Sequence, residues 1–245
     1  SVVNEQAAAL IHSSFTTVVR EAGDLSAGVF DREGNMIAQS VTGTPGHINT
    51  MANCVRNYVV PNYPIDSLQT GDTLITNDPW EASGHLFDLT IISPVYYKGR
   101  GVAWFASTCH AVDIGGLTMG GDAKELYEEG LAIPLMKLFD AGEPNKVLFD
   151  IIRANVRVPN QVIGDIYAQQ VGNDVGAKKF IEMLDEYNLP DIEAISQIIL
   201  DRTETALRNA IRKIPNGSYK SNITIDGFDD PVDIFCNVIV SDDSI

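Results

Sequence analysis

The sequence predicts an α/β (α+β) protein: a mixed β-sheet covered by helices, closing in a C-terminal amphipathic helix pair and the start of a further β region. Three observations carry this. Apolar residues recur at helical spacing, as Leu10, Ile11, Phe15, Val18 and Val19 do near the start and Ile195, Ile198, Ile199, Ala206, Leu207 and Ile211 near the end. Two runs, Leu89 to Tyr97 and Val102 to Ser107, are almost continuously apolar, β-branched or aromatic, the pattern of strands covered on both faces. The 245 residues are 44% apolar and 20% charged, so the chain can bury a large core as one big domain or two small ones.

Formal net charge is −16, which argues against nucleic acid and anionic membranes as partners, since both need basic patches. No apolar run approaches the roughly 18 residues of a membrane span. Cys54, Cys109 and Cys236 lie far apart without CxxC spacing and read as reduced core thiols. An odd count without a signal peptide points to a reducing compartment and suits a cytoplasmic protein. Ser1 is not a start methionine, and the strand-like run Val232 to Val240 stops in SDDSI, so both ends read as cuts within a longer chain.

Taken in order, Asn4 to Ala22 is expected to be one helix with Asn4 as N-cap, and His12 lies off its apolar stripe as a surface residue. Leu25 to Phe30 and Met36 to Gln39 are strands joined by the turn Asp31 to Asn35. Asp24 opens the first strand, as a turn residue capping backbone amides or as a ligand. Thr44-Pro45 starts a helix running to Pro61 and burying Ile48, Met51, Val55 and Tyr58/Val59. His47 falls in its first turn, where exposed N–H groups and the positive end of the dipole disfavour a protonated imidazole. A neutral histidine facing substrate and an ordinary surface residue fit that position equally.

Thr73 to Thr76 is a short strand, broken by Asn77-Asp78-Pro79 into a loop containing Gly84. Lys98 to Gly101 joins the two apolar runs into a hairpin. Ile114 to Gly121 is a glycine-rich loop lacking the lysine of a phosphate P-loop. Helices follow at Asp122 to Glu129, Asn145 to Val156, Val162 to Val171, Asp174 to Tyr187 and Asp191 to Ile214. The last two, split by Leu189-Pro190, form a packing pair, and Pro215-Asn216-Gly217 turns into strands Tyr219 to Ile225 and Val232 to Val240. The expected division is a catalytic region over residues 1–172 and a helical pair leading into a truncated β region over 173–245.

The chemistry concentrates between Gly71 and Gly116. His85 and His110 each have an aspartate three residues on, Asp88 and Asp113, and each pair sits where a loop meets an apolar run. Asp24, His85, Asp88 and His110 form the candidate metal set: two imidazoles and two carboxylates suit a divalent transition metal, Zn or Mn. His85 and Asp88 can converge because Leu86-Phe87 can tuck into the core, and His110 comes from the neighbouring strand end. No HExxH is present, and spacing alone fits two ordinary histidines as well. Glu129, Asp113 and His47 are candidate catalytic residues; a helix-end glutamate and a turn aspartate are the plain alternatives for the first two. Asp78, Asn155 and Arg157 are candidate substrate-binding residues; the latter two, in RANVRVP, fit an anionic substrate or a solvated helix end.

In order along the chain, NDPW, GHLFDLT, CHAVDIGG, EEGLAIPLMKL, IIRANVRVP and GDIYAQ resemble the motifs of the hydantoinase B / 5-oxoprolinase family, which includes the large subunits of acetone and acetophenone carboxylases. That family's pattern is roughly NDPY..GTHLPD, HHAD.GG, EG..IPP.KL and N.R.P....GD, and the match runs from DLSAGVFD to GDIYAQ. Family members are longer than this chain. The resemblance implies a metal at the positions matching Asp24, His85, Asp88 and His110. It also implies ATP used by a hydantoinase A-type partner that phosphorylates a carbonyl oxygen, and a hetero-oligomer. This chain departs from the pattern in three places. HHAD is CHAVD here, with Ala111 in place of the second histidine; Trp80 replaces the tyrosine; and SGHLFD stands for GTHLPD. These departures blur hydrolase against carboxylase.

The leading expectation is therefore metal-assisted hydrolysis of a phosphorylated cyclic amide. The first rival is a ketone carboxylase component, told apart by whether bicarbonate or water is consumed with ATP. The second, from another class, is a non-catalytic assembly component, which would lose nothing on His110→Ala.

Overall fold

A computed structural model describes residues 1–118, 120–227 and 230–245, in two compact units, Ser1–Glu193 and Ala194–Ile245. The first unit opens with helices α1 (Val2–Ser13) and α2 (Thr17–Arg20) and strands β1 (Leu25–Asp31) and β2 (Met36–Gln39). Helix α3 (Pro45–Asn53) continues through a π-helical stretch, Cys54–Val59, into α4 (Val60–Asn62). Strands β3 (Thr73–Thr76), β4 (Asp88–Tyr97) and β5 (Arg100–His110) follow, then α5 (Leu126–Glu129), β6 (Met136–Asp140), β7 (Glu143–Pro144), α6 (Lys146–Asn155) and α7 (Pro159–Glu186). The second unit holds nearly all of α8 (Glu193–Ile211) and the hairpin β8 (Gly217–Ile225) and β9 (Val232–Val240).

Among the described residues, seven strands form one sheet in the order β2-β1-β5-β4-β3-β6-β7. The α/β class is the expected one, but every pairing among the described residues is antiparallel rather than mixed. Tight turns join β1 to β2, β4 to β5 and β6 to β7, and only antiparallel neighbours can be joined so.

Both faces of the sheet are covered, as the continuous apolar runs require. Strand side chains alternate between faces. Phe30, Leu74, Ile92 and Trp104 pack with Met51, Val55 and Val59 of the α3 segment. Their strand neighbours Val29 and Phe105 pack with Phe180 and Leu184 of α7 on the opposite face. Ile75 and Ile91 join Ile152 of α6 and Ile166 of α7 there. Polar side chains lie inside this second layer: Gln6 donates to the Ala106 carbonyl at 3.0 Å, and Asn173 donates to the Ile91 carbonyl at 3.2 Å. Their amide N–H groups are thereby satisfied and cost little to bury.

Several boundaries differ from expectation. The first helix breaks at Ser14–Thr16, because the Asp165 carboxylate accepts from the Phe15 and Thr16 amides and the Thr16 hydroxyl, drawing the chain onto α7. Phe15, expected in the core, is largely exposed. Residues 159–186 are one helix instead of two, so the expected division at 172/173 falls inside α7. Gly172 is no breaker: it lets α1 approach, with Leu10 Cβ only 3.0 Å from where its own Cβ would stand. Helix α5 starts at Leu126, since the Lys124 amide is held by the Glu128 carboxylate. Met119 of the glycine-rich loop lies outside the described residues. Cys54 and Cys109 are buried as expected, and burial pushes the Cys54 thiol up to about 12, whereas Cys236 is exposed because it stands on the open hairpin. In α8 the expected stripe is largely solvent-facing at Ile195, Ile198 and Leu207, with Ile211 buried. Among the described residues no helix is long and apolar enough to cross a membrane.

Gly176 tests the packing of the second layer. Alanine is the better helix former by about 1 kcal/mol. A Cβ at Gly176, however, would meet the Phe105 ring at 2.6 Å, and Phe105 is fully buried. Gly176→Ala is therefore expected to lower the denaturant midpoint, by about 1–3 kcal/mol in stability. A raised midpoint would show that Phe105 has room to move.

Candidate metal centre

Three strand ends meet at one edge of the sheet. Asp88, the first residue of β4, lies directly opposite His110, the last of β5. Asp24 immediately precedes β1, and its carbonyl accepts from the His110 amide at 3.2 Å. The register that buries the apolar faces thus also gathers these three side chains.

His85 stands in the loop before β4. Leu86 and Phe87 after it are buried, as expected, and the Phe87 ring lies stacked on His110 with centroids 5.2 Å apart. His47 arrives from the other side, in the first turn of α3. Thr44 caps that helix without a side-chain hydrogen bond to it. Its hydroxyl donates instead to Asp24 Oδ1 at 2.7 Å, and its amide donates to the Leu25 carbonyl at 3.0 Å, tying the helix start to β1. His47 is buried, which removes the surface reading.

All three imidazoles converge on one carboxylate. Asp88 Oδ2 lies 2.9 Å from His85 Nε2 and 3.0 Å from His47 Nε2, and Oδ1 lies 3.0 Å from His110 Nδ1. Asp24 stands behind, 3.7 Å from His47 Nε2 and 3.9 Å from His110 Nδ1. Burial pushes the Asp88 carboxyl up. The hydrogen bonds from His110, His47 and His85 outweigh it and hold the group well below the usual carboxylate range. The bond to Asp88 raises His85 in return, against its own desolvation. His47 Nδ1 is buried with no hydrogen-bond partner among the described residues.

Ligand atoms of His85, Asp88 and His110 all lie within 4.8 Å of one another. Two imidazole nitrogens and a carboxylate oxygen at that spacing fit a divalent transition metal, with Asp24 and His47 alongside. Side chains of Asp88, His47 and His110 are buried, while those of Asp24 and His85 are about a third exposed, so the site opens on the Asp24/His85 side.

The other expected site residues have structural partners. Asp113 Oδ1 accepts from the Gly115 amide and Arg157 Nη1, and Oδ2 from the Arg157 amide; Arg157 also reaches the Gly115 and Gly116 carbonyls. This pair staples the loop after β5 to the α6–α7 junction. Asp78 Oδ1 accepts from the Trp80 and Glu81 amides, closing its own turn. Asn155 donates to the Ile151 carbonyl at the end of α6. Glu129 Oε2 accepts the Leu86 amide. Asn77, read from sequence only as a loop breaker, is fully buried and bonded to Leu86, Leu131 and Ile133.

The hydantoinase B/oxoprolinase family model matches residues 1–245, the whole chain. The chain belongs to the hydantoinase B/oxoprolinase family. Among curated relatives it is 31% identical to the B component of a putative D-/L-hydantoinase of Pseudomonas sp. strain NS671, over 99% of this chain and 43% of that protein. It is also 31% identical to the beta component of the caprolactamase of Pseudomonas jessenii, over 91% of this chain and 38% of that protein. The chain thus spans less than half the length of these relatives. The crystal structure of the ATP-dependent caprolactamase from Pseudomonas jessenii superposes with a TM-score of 0.87 at 29% identity, over 99% of this chain and 42% of that one. A nucleotide-free acetone carboxylase superposes with a TM-score of 0.85 at 18% identity, over 99% of this chain and 34% of that one, which shows a shared fold.

The Asp113–Arg157 staple gives a pH prediction. Burial raises the Asp113 carboxyl, but the Arg157 amide, the Gly115 amide and the guanidinium outweigh it and hold it low. A depressed folded-state value contributes stability above the unfolded value, near 3.9, that disappears as pH falls through the folded one. Asp113→Asn is expected to cost about 1–3 kcal/mol near neutrality, and the gap from wild type should close below about pH 4. A gap independent of pH in acid unfolding would refute the assignment.

Proposed function

We propose that this chain is the metal-bearing catalytic part of a cytoplasmic, ATP-dependent enzyme that hydrolyses a phosphorylated cyclic amide, beside an ATP-binding partner of the hydantoinase A type. The observation that carries the reading is the convergence of His47, His85 and His110 on the buried Asp88 carboxylate. Zn or Mn held by His85, Asp88 and His110, with Asp24 as the further carboxylate, would supply Lewis acidity to a carbonyl oxygen or acidify a bound water.

The chain's own groups then have separate tasks. Asp88 gathers one nitrogen from each of three rings around its carboxylate, so that the ligand atoms of His85, Asp88 and His110 already lie together. Phe87, stacked on His110, shields one wall from water. His47, whose Nε2 lies 3.0 Å from Asp88 and 3.7 Å from Asp24, can hold or move a proton at Nε2 beside the open Asp24/His85 side. Arg157 and Asp113 hold the loop that follows His110.

Relatives near 30% identity carry the names hydantoinase, caprolactamase and 5-oxoprolinase, whereas the carboxylase likeness stands at 18%. These names favour the cyclic-amide reading over ketone carboxylation, although Ala111 replaces the second histidine of the family pattern.

Elemental analysis of the intact protein, beside an Asp88→Ala/His110→Ala variant, tests the site. Near-stoichiometric Zn or Mn is expected in the wild type and absent from the variant, and a chelator should lower the melting temperature of the wild type alone. No metal, with a melt indifferent to chelator, would sink the metal reading. With the ATP-binding partner present, ATP turnover should require a cyclic amide and consume water; a requirement for bicarbonate would transfer the chain to the carboxylase branch.

A further inference from the structure

The loop carrying His85 is gripped one residue further on, from two directions. The Leu86 amide donates to Glu129 Oε2 at 3.0 Å, and the Leu86 carbonyl accepts from Asn77 Nδ2 at 2.7 Å. Asn77 is anchored in turn. Its Nδ2 also donates to the Leu131 carbonyl at 2.9 Å, and its Oδ1 accepts the Ile133 amide at 2.6 Å. Its own amide donates to the Ile133 carbonyl at 3.1 Å.

Glu129 is held by a close backbone approach. Leu117 donates to the Glu128 carbonyl at 2.7 Å and Leu131 to the Ile114 carbonyl at 2.8 Å. Glycine makes that approach feasible on both sides: Gly116 has φ 52° and Gly130 φ 141°, and added Cβ atoms would meet Glu128 O at 2.4 Å and Ile114 O at 2.3 Å. Ile114 follows from the strand that ends in His110. The support of the His85 loop is thus built on the chain leaving His110. Among the described residues, neither Asn77 nor Glu129 hydrogen-bonds to Asp88 or to the three histidines.

We propose that Asn77 and Glu129 are a positioning pair that grips the Leu86 peptide at both its N–H and its C=O and so holds the His85 imidazole on Asp88. Its effect on metal rests on the metal-centre reading above. A loop residue whose neighbour is fixed at both polar groups loses most of its freedom to swing, so the imidazole reaches the site preformed. Glu129 serves through one accepted hydrogen bond rather than by carrying a proton, and an amide oxygen can replace it there.

The test is a Co2+ titration of the intact protein, read by visible absorption, together with hydrogen exchange of residues 85–88 in metal-free protein. Glu129→Ala and Asn77→Asp are each expected to weaken Co2+ binding about 10–100-fold, while Glu129→Gln, which keeps the acceptor, stays within about threefold. Asn77→Asp should also speed exchange of the Leu86 amide, although its bond to Glu129 is untouched by that substitution. Equal losses in Glu129→Gln and Glu129→Ala would overturn the proposal, because the charge and not the hydrogen bond would then be at work. Unaltered Leu86 exchange in a folded Asn77→Asp would overturn it as well. If the wild type binds no Co2+, the metal reading fails and exchange alone decides the grip: faster in Glu129→Ala and Asn77→Asp and restored in Glu129→Gln supports it, unchanged removes it. Should Asn77→Asp not fold, the Glu129 pair of variants decides, since that side chain lies at the partly exposed end of α5.

Discussion

A single buried carboxylate holds the site together. Asp88 is out of water at the start of a central strand, where an isolated negative charge would be strongly unfavourable. Three imidazoles drawn from α3, the preceding loop and the neighbouring strand compensate it. The compensation works both ways: the rings keep Asp88 ionised, and Asp88 fixes the rings. Loss of either side leaves a polar group buried without a partner, the costly case for ion pairs in a protein interior.

Everything around that carboxylate is arranged by ordinary packing. The β4–β5 register places Asp88 opposite His110, and the same register sends Leu89 and Ile91 into one hydrophobic layer and Ile92 into the other. A slip by one residue would turn the apolar side chains to the wrong faces and separate the pair at the same time. The α3 segment covers one face through Met51, Val55 and Val59, and its first turn is thereby brought to the edge where His47 meets Asp88. The core thus locates the polar site, and the glycines at 116 and 130 permit the close chain approach that supports its most exposed ring.

Much of this was legible in the sequence. The hairpin of Leu89 to Tyr97 and Val102 to Ser107, the strands flanking the turn at Asp31 to Asn35 and the Thr44-Pro45 helix start all appear where local pattern placed them, because period and turn chemistry are properties of short segments. His85, Asp88 and His110 were legible as chemistry-bearing residues at loop–strand junctions. Other features depend on contacts between distant segments. Asp165 breaks the first helix from far along the chain. Gly172 stands inside α7 and leaves room for α1, a contact with residues far away in the chain. Nothing local to Arg157 announces that Asp113 occupies it, and nothing local to Asn77 announces its bonds to Leu86, Leu131 and Ile133.

The sequence by itself determined the apolar patterning, hence a sheet covered on both faces, and the stock of imidazoles and carboxylates available for a site. Only the tertiary structure decided which of them meet. His47 could have been a surface residue until the tie from Thr44 to Asp24 carried its helix to the sheet edge, and Glu129 could have been a free acid until the backbone crossing at Gly116 and Gly130 set it on Leu86. The reason is one of range: periodicity is written in neighbouring residues, whereas a site is made by contacts whose partners lie tens of positions apart and are brought together only when the core closes.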